Sequence, residues 1–129
     1  MVTLDQIKVA HSKVKSGADF PAYIQELKKL GIFYYETFVS DGHTLYVTVD
    51  GAHLLSPAKY DALLIAEISN KEQFRLALKA HQQGKTDYPS FCADCAMSGI
   101  EKWLVDMHRM KCTYFNSLGD EVLEEVIPG

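Results

Sequence analysis

The spacing of hydrophobic residues predicts two helices in the N-terminal part of the chain. Apolar residues recur there every three or four positions, which is the period of a helix with one buried face. The first helix begins after Thr3, which can form a capping box with Gln6, and ends at Ser16-Gly17. The second begins after Asp19 and ends at Gly31, where a left-handed cap is favoured.

The period then changes to one that favours strands. Residues 32–39, IFYYETFV, are rich in aromatic and β-branched side chains, which suit a pleated surface. The Asp41-Gly42 pair predicts a hairpin, with residues 43–50 as its returning strand. A second turn leads into a short apolar piece at residues 52–55.

The second half of the chain begins again with two helices. Ser69 or Asn70 caps a helix that continues to His81. A polar connection follows, and the next helix runs from Asp87 to Gly99.

Strands follow these helices, as they do in the first half. Residues 101–107 and 111–117 pair as a hairpin, and residues 121–128 hold the last strand. The run ALLIAEIS at residues 62–69 is ambiguous, because its aliphatic content favours a buried strand whereas Ser56 can cap a helix there.

A shift of 68 residues aligns the two halves of the chain without a gap. It brings together identical residues, several of them at helix caps and turns: Asp19 and Asp87, Pro21 and Pro89, Gly31 and Gly99, Ile32 and Ile100, Tyr46 and Tyr114, Gly51 and Gly119. We therefore predict an α+β fold, in which a tandem duplication of a helix-helix-hairpin unit forms an antiparallel sheet with helices packed on it. The halves are about residues 1–61 and 62–129 of a single domain, and the pseudo-twofold groove between them is a common kind of ligand site.

Composition and charge exclude several classes of function. The chain is 47% apolar and 23% charged, as in a soluble globular protein, and has no apolar run of about 18 residues that would indicate a membrane partner. The net charge of −4 and the mixed charges disfavour nucleic-acid binding, which needs clustered Lys and Arg. Three cysteines and no apolar signal at the N-terminus predict a cytoplasmic location.

The three cysteines suggest two kinds of chemistry. Cys92 and Cys95 share one helix face, and with Cys112 and either His81 or His108 they can form a Cys₃His metal site. A CxxC pair near a helix N-terminus can instead be redox-active.

The 68-residue shift favours a structural interpretation of the same cysteines. It aligns Cys92 with Ile24 and Cys95 with Leu27, which are core-facing positions of the first half. Because a free cysteine packs like a small hydrophobic residue, we favour buried structural thiols over a metal or redox site.

His81 has two interpretations as well. At the end of a helix and near Asp87, it can act as a general base or as a hydrogen-bond donor to a ligand. The interpretation that we favour is a histidine whose charge stabilises the helix C-terminus.

Aromatic residues occupy matching positions in the predicted strands. Tyr35 aligns with Trp103 and Tyr46 aligns with Tyr114, so that one face of the sheet is lined with rings. Rings on neighbouring strands usually pack a core, which is the favoured interpretation, but they can also form the walls of a groove for a flat or apolar ligand.

The chain resembles a family of small bacterial proteins, domain-of-unknown-function family 1398, along nearly its whole length. The residues that carry the resemblance are His81-Gln82-Gln83-Gly84, Thr86-Asp87-Tyr88, Phe91-Cys92, Cys95-Ala96, Gly99-Ile100, Trp103, Asp106, Cys112-Thr113-Tyr114, Gly119 and Ile127-Pro128. The family is found largely in enterobacteria and prophage regions, and some members carry a phage-envelope label. It implies no catalytic residues, because its members are uncharacterised.

The first functional hypothesis is a non-enzymatic module that binds a small-molecule ligand or a partner through Tyr35, Tyr46, His81, Trp103 and Tyr114. The alternative is a metal-binding or thiol-dependent enzyme that uses His81 with the three cysteines. We assign no cofactor. A homodimer formed through an exposed strand edge is compatible with either hypothesis.

Overall fold

Two helices precede each of two groups of three strands. The structure is a computed structural model that describes residues 2–15 and 17–128. Within these residues the helices are α1 (Leu4–Ser12), α2 (Phe20–Lys29), α3 (Lys71–Gln82) and α4 (Tyr88–Met97), with a 3₁₀ turn at Gly17–Asp19. The strands are β1 (Ile32–Phe38), β2 (Thr44–Thr48), β3 (His53–Leu55), β4 (Ile100–Asp106), β5 (Lys111–Asn116) and β6 (Glu121–Val126).

Side-chain caps start three of the four helices of the described residues. Thr3 and Gln6 form the predicted capping box, and the side chains of Asn70 and Asp87 accept backbone N–H bonds from the first turns of α3 and α4. Asp19 precedes α2, but its carboxylate accepts a bond from the Lys15 N–H at 2.9 Å and does not cap the helix.

Helix α1 is shorter than the sequence suggests. It ends at Ser12, with the backbone N–H of Lys13 bonded to carbonyls of the last turn. Ser16, half of the predicted stop signal, lies outside the described residues.

All six strands of the described residues form one antiparallel sheet, as predicted. Its order is β3-β2-β1-β4-β5-β6, so that the first strands of the two groups lie side by side at the centre. Glu36 of β1 lies opposite Leu104 of β4, and these two residue numbers differ by 68. The sheet is therefore symmetric in strand order about the β1–β4 contact.

The two halves also match in register and in backbone conformation. Tyr35 lies opposite Tyr46 in one hairpin, and Trp103 lies opposite Tyr114 in the other. The pairing of both hairpins shifts at the same place, between Ile32 and Tyr34 and between Ile100 and Lys102. Backbone φ is positive at the corresponding positions Gly31 and Gly99, Gly51 and Gly119, and Gly42 and Met110.

The prediction for residues 62–69 was wrong, because the segment is neither a strand nor a helix. Its backbone bonds to separate parts of the fold, from Leu63 N–H to Ser40 O at 2.6 Å and from Ala66 N–H to Ala96 O at 2.9 Å. Leu64 is 95% exposed, so the aliphatic run does not mark a buried element. The segment is an extended connection that lies across the end of α4.

The core lies between the four helices and one face of the sheet. Ile24 and Leu27 of α2 are fully buried there, and so are Cys92 and Cys95, which are at the corresponding positions of α4. No helix in residues 2–15 and 17–128 has the length and apolar content needed to cross a bilayer.

Candidate functional site

A cavity of about 300 Å³ lies between the helices and the covered face of the sheet. All four helices and the strands β1, β2, β4, β5 and β6 contribute side chains to its wall. It is therefore shared by both halves of the chain, with the central β1–β4 contact beneath it. Its volume is at the lower end of the range found for small-molecule sites.

The structure brings together at this cavity all five residues that the sequence suggested for ligand binding. Four are buried on the sheet, where Tyr35 and Tyr46 come from one hairpin and Trp103 and Tyr114 from the other. His81, at the end of α3, is the fifth. That they bind a ligand remains a prediction.

Corresponding residues of the two halves line the cavity in pairs that differ by 68 in number. Beside Tyr35 with Trp103 and Tyr46 with Tyr114, these pairs are Val14 and Gln82, Phe20 and Tyr88, Tyr23 and Phe91, Thr44 and Cys112, and Lys59 and Ile127. Sequence reasoning did not assign the helix residues among them to the site. The 68-residue shift contains a signal that could have found them, since it aligns aromatic residues of α2 with aromatic residues of α4.

Two buried hydrogen-bond donors in the cavity wall have no protein partner among the described residues. They are the hydroxyl of Tyr35, whose residue is 5% exposed, and the indole N–H of Trp103, whose residue is 7% exposed. Neither atom is completely enclosed by protein, because in the described residues the only enclosed side-chain polar atom without a partner is the Ser98 hydroxyl. The other two donors are therefore open to the cavity, where a guest molecule or water can accept their bonds.

His81 is held in a fixed orientation. Its ring stacks on Phe91, with the ring centroids 4.4 Å apart and the planes 11° apart. Its Nδ1 lies 3.1 Å from the backbone oxygen of Thr86, which can only accept, so Nδ1 carries the hydrogen in this contact. Burial lowers the pKa of His81, and this effect outweighs the opposite effects of the Thr86 carbonyl and of Asp87. The ring is therefore neutral at pH 7, and its Nε2 is a hydrogen-bond acceptor.

A second histidine of the wall was not predicted from the sequence. His11 of α1 makes edge contacts with Tyr23, at 5.3 Å between ring centroids, and with Tyr88, at 6.1 Å. Burial lowers its pKa, and the nearby positive charge of Lys59 lowers it further. His11 is therefore also neutral at pH 7.

The phenols of the wall are neutral as well. Burial raises the pKa of Tyr23, Tyr35, Tyr46 and Tyr114, and the neighbouring phenol of Tyr46 adds to the effect at Tyr23. The buried part of the wall therefore presents donors, acceptors and ring faces without a formal charge.

Charged residues of the cavity wall are exposed or only half-buried. Lys15, Lys59 and Asp87 are exposed residues, and the Lys59 ammonium lies 5.8 Å from the centroid of the Tyr88 ring. The half-buried carboxylate of Glu125 accepts a bond from the Gln82 amide at 2.9 Å. These charges mark the rim of the cavity.

The structure does not assemble the proposed Cys₃His site. Within residues 2–15 and 17–128, no three His, Cys, Asp or Glu side chains are placed so that they could hold a metal ion. Cys112 lines the cavity together with His81, whereas Cys92 and Cys95 are buried in the core away from its wall. The candidate ligands lie in different environments, because α4 directs its two cysteines into the core as α2 does with Ile24 and Leu27. The alternative ligand His108 is exposed in the turn between β4 and β5.

The thiols are also protonated in the folded protein. All three cysteines are free and buried, and burial is the main cause that raises the pKa of each. For Cys112 it raises the pKa to about 12. A thiol-dependent mechanism needs the opposite shift, because the thiolate is the nucleophile.

Comparisons with known proteins identify relatives but no activity. A family model described as "Protein of unknown function (DUF1398)" matches residues 8–126 of the chain. A protein of Escherichia coli strain K12, "Uncharacterized protein YcgX", is 24% identical over 115 residues, which cover 87% of this chain and 86% of that protein. The function therefore has to be inferred from the geometry of the cavity.

Proposed function

The chain belongs to the DUF1398 family, whose function is unknown, and from the geometry of its cavity we propose that it is a binding protein for a small organic molecule. The observation that carries this proposal is an aromatic cavity whose buried wall contains unpartnered donors, Tyr35 and Trp103. We place the protein in the cytoplasm, since its three free buried thiols suit a reducing compartment.

The packing of the cavity supports a binding role over a purely structural one. Protein interiors are close-packed, and voids larger than a water molecule are few. A space of about 300 Å³ is far larger than the roughly 10–15 Å³ that holds a single water molecule. A fold that needed these rings only as core residues would bring them together and remove that space.

The symmetry of the fold supports an origin of the site in a tandem duplication. The matching strand registers and the positive φ values at residues 68 apart are as expected for two copies of one unit. The cavity then lies where the copies meet. The two sides of the cavity differ chemically where corresponding residues differ, as Tyr35 of one half and Trp103 of the other do. An asymmetric site of this kind suits an asymmetric ligand.

A homodimer formed through a strand edge remains a prediction. The two edge strands of the sheet disfavour it. The edge strand β3 has only three residues, and the other edge, β6, carries Glu121, Glu124 and Glu125. Short or charged edges discourage pairing with another chain. The proposed binding role therefore does not depend on a second copy.

We expect that filling the cavity abolishes binding of a neutral apolar probe. Val14 lines the cavity and is half-buried, so a tryptophan introduced there can place its ring in the space. N-phenylnaphthylamine, an uncharged fluorophore that brightens in apolar surroundings, should bind at one site per wild-type chain. The Val14→Trp variant should bind it at least tenfold more weakly in a fluorescence titration.

The matched control is Val9→Trp, the same change at a residue of α1 that is 60% exposed and does not line the cavity. It should bind the probe as the wild type does. Equal affinity of the two variants would place the probe elsewhere and contradict the proposal. A wild-type chain that does not bind the probe, and that shows no organic excess mass in native mass spectrometry, would overturn it.

A further inference from the structure

We infer that the ligand of the cavity is an uncharged, planar aromatic molecule that carries a carbonyl group. This inference rests on the proposed function and specifies its ligand class. The evidence is the arrangement of rings, the two open donors of Tyr35 and Trp103, and the distribution of charge between wall and rim.

The rings of the wall favour a flat guest. Trp103 is surrounded on the cavity side by Tyr88 at 86° between ring planes, Tyr114 at 53° and Phe91 at 48°, with centroids between 5.9 and 6.4 Å away. Aromatic rings prefer offset-stacked or edge-on neighbours, and ring planes at several angles offer both to a planar molecule. A long flexible chain would lose conformational entropy in the same space without gaining these contacts.

The polar groups of the wall favour a ligand that has a hydrogen-bond acceptor. The indole N–H of Trp103 can only donate, and the Tyr35 hydroxyl has no protein acceptor among the described residues. A carbonyl oxygen has two lone pairs and can accept from such donors. His81, with Nδ1 bonded to Thr86, offers Nε2 as the complementary acceptor for an amide or hydroxyl hydrogen.

The charges of the site exclude a formal charge on the part of the guest that is buried. The titratable groups of the buried wall are the tyrosines and Cys112, and His11 and His81 lie half-buried beside them, all in their neutral forms at pH 7. Lys15, Lys59, Asp87 and Glu125 belong to the exposed or half-buried rim. An ion taken into the buried part of the wall would lose its hydration, and the nearest cations, Lys15 and Lys59, stand at the rim rather than beside it.

The test compares naphthamide with naphthoate, two molecules of nearly the same shape of which one is neutral and the other charged at pH 7. By isothermal titration calorimetry we expect naphthamide to bind at least tenfold more tightly, and the Val14→Trp variant to lose this binding. Naphthoate binding equally or more tightly would overturn the inference and leave the cavity as a binding site. If neither binds while N-phenylnaphthylamine does, the inference also fails and the proposed function stands.

A second comparison tests the donor. Tyr35→Phe removes one hydroxyl from the wall and should weaken naphthamide about two- to tenfold, the range of one neutral hydrogen bond. It should weaken N-phenylnaphthylamine, which has no carbonyl, by a smaller factor than it weakens naphthamide. Tyr34→Phe, next to it on β1 but outside the cavity wall, is the control and should change neither affinity. Equal weakening of both ligands by Tyr35→Phe would assign the residue a packing role and contradict the inference.

Discussion

Replacing Gly99 with alanine should destabilise the fold far more than the same replacement at Gly31. Both glycines follow the last turn of a helix with positive φ, +82° at Gly99 and +91° at Gly31, so each alanine carries a backbone strain of roughly 1–2 kcal/mol. The Cβ of an alanine at Gly31 would meet no atom within 4 Å. At Gly99 it would lie 2.6 Å from the Ser69 Cα and 2.8 Å from the Ile68 carbonyl oxygen.

These neighbours of Gly99 are backbone atoms and cannot rotate away. Relief would require the connection of residues 62–70 to move off α4, which breaks the bonds from Ala66 N–H to Ala96 O and from Asn70 N–H to Ser98 O. Each such bond contributes about 1 kcal/mol. We therefore expect Gly99→Ala to lose at least about 2 kcal/mol more of the free energy of unfolding than Gly31→Ala.

Urea denaturation followed by the fluorescence of Trp103, the single tryptophan, measures both variants on one scale. Equal losses for the two glycines would contradict the packing of residues 62–70 against α4. Because Gly31 and Gly99 correspond under the 68-residue shift, the comparison also isolates what this connection adds to the second half.

The same connection shows where sequence reasoning reached its limit. Helices and hairpins have periodic patterns, and the caps at Thr3, Asn70 and Asp87 give their starts. Residues 62–69 are aliphatic because single side chains such as Leu63 and Ile65 pack against the core, while Leu64 and Ile68 face solvent. The aliphatic residues of such a non-repetitive segment follow no helical or strand period. Their number alone therefore led to the wrong prediction of a regular element.

The candidate site was predictable for the sheet and less so for the helices. Tyr35 and Trp103 were found because the 68-residue shift aligned them with each other in predicted strands rich in aromatic residues. His11 and Tyr23 were not assigned, because an aromatic residue on the apolar face of a helix usually packs the core. Whether such a residue closes the core or leaves a cavity depends on the distance between the layers, which no local pattern specifies.

The cysteines provide the sharpest test against a thiol enzyme. At pH 7 all three should react with a disulfide reagent at least a hundredfold more slowly in the native protein than in urea. All three are buried, and burial raises their pKa values, that of Cys112 to about 12. At that pKa only about one thiol in 10⁵ is ionised at pH 7, against a few per cent for an ordinary cysteine.

Peptide mass spectrometry after timed labelling assigns the rate to each cysteine. Cys112 should be the first of the three to react, because it lines the cavity whereas Cys92 and Cys95 lie in the core. A Ser117→Cys variant places an exposed thiol in the turn between β5 and β6, and its fast labelling shows that the reagent is active. A native cysteine that matches Ser117→Cys in rate would revive the thiol-dependent alternative. Naphthamide bound in the cavity should lower the labelling rate of Cys112 further and leave the rates of the other two cysteines unchanged. This result would show that Cys112 lies beside the ligand site.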